Sequence, residues 1–179
     1  LFAAMLNTHG HKGPAEIAPK RRWVFKETSR RAALAGLPFG PPRSHPFRPL
    51  LALRGVLAAP EEARPALVDR FFAESWGGEA SGGLDDPETV ARRASEAGLD
   101  GAALVRAAGE APAKAALKAS TAEAIARGVF GVPTFLAGEE LFWGYDALDL
   151  LALHLDGKDP LDRTGLRRWE ELPATATRS

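Results

Sequence analysis

Four stretches of the sequence carry groups able to do chemistry. The first is Val132-Pro133, in GVPTFLAG (131–138). Proline has no N–H, so it suits the head of an edge strand, where the N–H and C=O of Val132 would point outward. Those groups could pair with an extended peptide-like ligand by strand addition. An X-Pro bond is also cheap to make cis, and such a bond is usually there for its geometry. An ordinary trans-proline opening a strand explains the same residues, and the motif alone does not choose between the two.

The second stretch is Trp143-Gly144-Tyr145-Asp146, which opens a helix. A helix start offers free N–H groups and the positive end of the macrodipole to a carboxylate. Asp146 is therefore either a first-turn acid complementing the dipole or a ligand contact. The third holds His9, His11 and Lys12. Two histidines at i, i+2 suggest a metal, but no third ligand lies nearby, and the reading is that no metal binds. Lys12 is either a solvated surface residue or the partner of a carboxylate. The fourth is the proline-rich FGPPRSHPFRP (39–49), with His45 and Arg48. A guanidinium there suits a carboxylate ligand, though a surface arginine needs no such role.

Mostly helical elements must position these groups. The patterning predicts helices over 22–34, 50–59, 65–76 (with Leu67, Val68, Phe71 and Phe72 inward), 86–98, 100–109, 112–127 and 145–155. Pro65 and Pro112 fit first-turn positions, and Asp86 and Asp100 read as N-caps. Strand signals appear only at 133–137 and 140–143, with a turn at Gly138. The tail from Gly157 is polar and reads as extended. A lone apolar hairpin is marginal in water. The remaining strands are therefore expected upstream of Leu1, and the start at Leu1 reads as a missing beginning.

Composition excludes several functions. Lys plus Arg number 23 and Asp plus Glu 23, so no global field draws the chain to nucleic acid or an anionic membrane. No apolar run reaches the roughly 20 residues of a spanning helix. There is no cysteine, which removes disulfides, thiolate metal sites and a Cys-x-x-Cys redox centre from these 179 residues. No leader pattern is visible, and the cytoplasm is the expected compartment.

The segment GVFGVPTFLAGEELFWGYDALDLLALHL (128–155) resembles the C-terminal part of the 2-hydroxychromene-2-carboxylate isomerases and kappa-class glutathione transferases. These are thioredoxin-fold proteins with a helical insertion, related to DsbA. HGHKGPAEIAPKRRWVFKETSRRAALAGLPF (9–39) looks like the family's Asn-Lys-Pro-Pro segment and following helix. HPFRPLLALR (45–54) looks like its His-Pro-Phe-Asn-Pro-Leu segment, and DPETVARRASEAGLD (86–100) matches helices of the insertion.

The resemblance implies an α/β thioredoxin-like fold with a large helical insertion, its first βαβ segment missing from the chain. Residues 1–35 and 128–156 would form the thioredoxin-like part, 36–127 the insertion, and 157–179 an extended tail. It also implies a glutathione site: a cis-Pro133, the Val132 backbone pairing with the cysteinyl part, and Tyr145-Asp146 holding the γ-glutamyl end. His11 and Lys12 fall where the family has Asn-Lys in a glutathione-contacting loop. His45 and Arg48 would face a small aromatic carboxylate substrate, but Arg48 replaces the usual Asn and puts that contact in doubt. The family's catalytic serine sits in a Ser-Pro-Tyr-like motif at the end of the first strand. Ser29, Ser44, Ser75, Ser81, Ser95 and Ser120 all lie in predicted helices or loops, so that serine is expected upstream of Leu1.

The implied activity is a glutathione-dependent isomerisation of a hydroxychromene carboxylate or a related aromatic-degradation intermediate, with the cofactor not consumed. The expected assembly is a homodimer, whose partner chain could pair with the hairpin edge. Three alternatives stay open. They are a kappa-class-like glutathione transferase, a DsbA-like thiol-disulfide oxidoreductase with its cysteines upstream, and a non-catalytic helical binding module if the chain is complete.

Overall fold

The computed structural model describes residues 1–78 and 82–173, apart from the side chains of Arg167 and Glu170. Ser81 and the last residues of the predicted tail, 174–179, lie outside the described residues. The chain divides into two compact units, Leu1–Phe130 and Gly131–Ser179.

The first unit is helical: α1 Phe2–His9, α2 Ala18–Leu34, α3 Leu50–Ala58, α4 Arg64–Trp76, α5 Pro87–Glu96, α6 Gly101–Gly109 and α7 Ala111–Ala126. Helix α2 starts four residues before its predicted start, because Pro19 presets the first-turn φ. The Asp86 carboxylate caps α5, accepting from the Thr89 N–H at 3.0 Å and the Glu88 N–H at 3.4 Å. Asp100 caps α6 through the Ala103 N–H at 2.9 Å. Both caps satisfy donors that a helix start leaves unpaired. Where α6 meets α5, a Cβ on Gly101 would run into the Ala91 carbonyl, so glycine sets how closely the two helices approach.

The core gathers Ala52, Ala59, Leu67, Phe71, Leu84, Val90, Ala94 and Leu104 from α3 to α6 and the loops between. The inward reading of Phe72 is corrected: it is 62% exposed. The buried stripe of α4 is Leu67, Phe71, Glu74 and Ser75, spaced i, i+4, i+7, i+8, and Phe72 lies beside it. Glu74 enters that stripe because Arg92 and Arg93 of α5 neutralise it, at 3.2 and 2.8 Å.

The second unit holds an antiparallel hairpin, β1 Thr134–Ala137 and β2 Glu140–Trp143, in register Thr134↔Trp143 to Ala137↔Glu140. Among the described residues the sheet has these two strands. Gly138 has φ 64° while Glu139 stays at negative φ, as a two-residue type II′ turn requires. A short 3-10 turn, Tyr145–Ala147, leads into α8 Leu148–Leu155.

The extended-tail expectation is also corrected, since residues 163–170 form helix α9, Arg163–Glu170. Asp162 starts it by accepting from the Thr164 N–H at 3.0 Å, and Arg163 pairs with Glu140 of β2. The link before α9 is tied down as well. Asp159 bonds the His154 ring at 2.8 Å, and that bond, followed by one from the Leu161 N–H, holds its carboxyl below the usual range. Among the described residues no helix is long and apolar enough to cross a membrane.

Candidate functional site

Four of the predicted residues come together at the open end of the hairpin. The Val132–Pro133 peptide is cis. The Gly144 N–H donates to the Pro133 carbonyl at 3.0 Å, which extends the ladder one step beyond Thr134↔Trp143. That bond sets Tyr145 and Asp146 next to the Val132-Pro133 step.

On the other side of the step, the Thr134 hydroxyl donates to the Gly131 carbonyl at 2.7 Å and closes a tight turn around Val132 and Pro133. Val132 is left 53% exposed, and among the described residues its backbone N–H and C=O carry no hydrogen bond. Asp146 is exposed and its carboxylate is likewise unbonded among the described residues. An outward backbone donor and acceptor, a free carboxylate and the 3-10 turn that leads into α8 thus share one end of a hairpin; α8 itself begins at Leu148, three residues after the expected helix start. This arrangement suits an extended peptide carrying an ammonium group.

Two glycines that the sequence reading passed over make the arrangement possible. A Cβ on Gly131 would run into the indole of Trp143, so the turn packs against that ring only with glycine there. Gly144 has φ 95°, a conformation that favours glycine, and an added Cβ would lie 2.5 Å from Asp146 Oδ1. The spacing of Gly131 two residues before Pro133 was the available signal. We expect Gly131→Ala to displace Trp143 and to destabilise the hairpin by about 1–3 kcal/mol. Amide exchange of β1 and β2 should show this as lost protection, with the helices of the first unit unchanged.

The other four predicted residues belong to the first unit. Gly10, at φ 63°, ends α1, and the His11 N–H returns to the Leu6 carbonyl at 2.9 Å. His11 and Lys12 therefore leave the helix together and are both exposed. The His9 and His11 rings lie 6.1 Å apart. Among the described residues no group of three or more potential ligands gathers around a metal position. Arg48 is exposed on the 39–49 loop.

His45, on the same loop, sits among rings. Its centroid is 5.4 Å from Phe25, 5.3 Å from Trp76 and 6.4 Å from Phe47, and Phe39 stacks on Trp76 at 5.9 Å. Its Nδ1 is buried without a hydrogen-bond partner. Burial, with the nearby Arg21 cation second, pushes its pKa down. The sequence reading missed this box because its members are far apart in the chain and follow no period.

Residues 1–156 match the DSBA-like thioredoxin domain, and the chain belongs to that family. Its fold is thioredoxin-like, helix-rich and with a small sheet. Among individual proteins, it is 27% identical over 150 residues to the 2-hydroxychromene-2-carboxylate isomerase of Sphingobium xenophagum, covering 82% of this chain and 74% of that protein. A solved structure of selenomethionyl 2-hydroxychromene-2-carboxylate isomerase superposes with a TM-score of 0.78 at 24% identity, over 97% of this chain and 82% of that one.

Proposed function

We propose that the protein is a glutathione-dependent isomerase of 2-hydroxychromene-2-carboxylate or a related aromatic carboxylate. One observation carries this reading: the exposed, unpaired Val132 backbone lies one hydrogen-bonded step from the free Asp146 carboxylate. Glutathione presents a peptide backbone, an ammonium and two carboxylates, and these residues answer the first two. Val132 would pair with the cysteinyl amide groups, and Pro133 would keep the edge open. Asp146 would accept from the γ-glutamyl ammonium, while the positive end of the turn leading into α8 favours its carboxylate. Lys12 beside His11, and Arg48 beside His45 on the 39–49 loop, are carboxylate-binding candidates of the first unit in their own right. Bound there, glutathione would supply a thiolate able to add reversibly to a conjugated double bond. A kappa-class-like transferase would use the same groups, and consumption of glutathione would reveal it.

Magnitudes set the expected affinity. Two backbone hydrogen bonds give about 0.5–1.5 kcal/mol each, and a helix start adds about 0.3–1 kcal/mol. With the charge-assisted bond to Asp146, about 1.5–3 kcal/mol, the sum is about 3–7 kcal/mol, and the freedom lost on association holds the net to the millimolar range, roughly 4 kcal/mol, or weaker. Chain Leu1–Ser179 is therefore expected to bind glutathione in the millimolar range or weaker. Asp146→Asn, which removes a charge-assisted bond of about 1.5–3 kcal/mol, should weaken it at least tenfold. Titration calorimetry of both proteins measures this. Micromolar binding, or equal affinity for Asp146→Asn, would move the site elsewhere. A spectrophotometric isomerase assay with and without glutathione tests the reaction, which should depend on added glutathione without using it up.

A further inference from the structure

Helix α2 is an unusual member of the first unit. It runs 17 residues and none of them is buried. Among the described regular elements, its backbone packs only against the short 3-10 turn Pro14–Glu16. Side chains must hold it to the rest of the unit, and the ring of Phe25, packed on His45 and Trp76, does so. Through His45, α2 is joined to the 39–49 loop, and through Trp76 to the end of α4.

We propose that His45 is an acid-released latch. Neutral, it completes the aromatic box that fastens α2. Protonated, it opens the box and frees the helix. The geometry gives the imidazolium poor solvation in the closed state, because Nδ1 is enclosed by the surrounding rings with no acceptor in reach. The charged neighbours do not compensate. Arg21 of α2 is a cation whose charge acts against protonation. Glu74 of α4 is taken up by Arg92 and Arg93 of α5. On the loop itself the flanking charges are Arg43, which donates to the Gly82 carbonyl at 3.2 Å, and Arg48.

The closed-state pKa of His45 is depressed, while in the open state it returns to about 6.5. The closed box is therefore fully favoured above about pH 6.5. It weakens as pH falls below that value, by about tenfold per pH unit, until the depressed pKa is passed. Because α2 follows the His11-Lys12 loop within a few residues, the latch would also govern how well that loop is held.

Hydrogen exchange of the α2 amides between pH 7.5 and 5, corrected for intrinsic rates, tests the proposal, together with an NMR titration of the His45 ring. We expect α2 protection to fall on acidification while α5 and α6 keep theirs, with His45 titrating below 6.5. His45→Phe keeps a ring in the box and removes the proton, so its α2 protection should no longer depend on pH. Should that variant fold poorly, Arg21→Gln serves instead: it should raise the His45 pKa and shrink the acid response. An α2 response that persists unchanged in either variant, or a His45 titrating at or above 6.5, would overturn the latch.

Discussion

Replacing Glu74 with alanine should cost about 3–5 kcal/mol of unfolding free energy. The Glu74 side chain is fully buried, and its Oε2 accepts from Arg93 Nε at 2.8 Å and Arg92 Nη2 at 3.2 Å. Its Oε1 accepts from the Gly83 N–H at 3.3 Å, which anchors the loop leading to the Asp86 cap. Arg93 is only 7% exposed, and it also pairs with Glu96 at 2.9 Å. Removing Glu74 deprives a buried guanidinium of a carboxylate partner at 2.8 Å and leaves part of the desolvation of that charge uncompensated. The loss is large against the 5–15 kcal/mol of a typical domain. Urea denaturation of the single variant and of Glu74→Met/Arg93→Leu separates the causes. The double variant should recover most of the loss, since a well-packed apolar pair often matches a buried ion pair. A single variant within about 0.5 kcal/mol of wild type would show that the network is not closed around Glu74.

Leu67→Ala is expected to cost about 2–5 kcal/mol. Leu67 is fully buried where α4 meets the core residues of α3 and α5. Truncation removes its transfer energy and leaves a cavity that the small residues around it, Ala52, Ala59 and Ala94, cannot fill. Phe72→Ala serves as the control on the same helix. At 62% exposure it should change stability by no more than about 0.5 kcal/mol. The reverse order of effects in urea melts would mean that α4 is rotated about its axis.

That helix also shows how much of the fold was legible. Its bounds followed from Pro65 and the apolar spacing, but its rotation did not. An apolar pattern counts Phe72 as core and passes over Glu74, whose burial depends on arginines 18 and 19 residues away. The caps at Asp86 and Asp100 were legible because a cap is a local interaction. Helix α9 was not, because a glycine inside it and a polar surround hid the Asp162 cap and the pair to Glu140. At the candidate site, Val132-Pro133 and Tyr145-Asp146 could each be singled out from the sequence. The hydrogen bond from Gly144 to Pro133 that puts them side by side is set by hairpin register, which only the structure gives. The aromatic box around His45 combines residues as far apart as Phe25 and Trp76 and was invisible for the same reason.

The central claim is that glutathione binds at the open end of the hairpin. Titrating it into isotope-labelled protein while following backbone amide shifts tests this most directly. The account predicts saturable, millimolar-range shifts concentrated at Val132, Thr134, Tyr145 and Asp146, and largely lost in Asp146→Asn. Saturable shifts centred on other residues, or unchanged Val132 and Asp146 amides at tens of millimolar glutathione (roughly tenfold above a millimolar Kd), would contradict it.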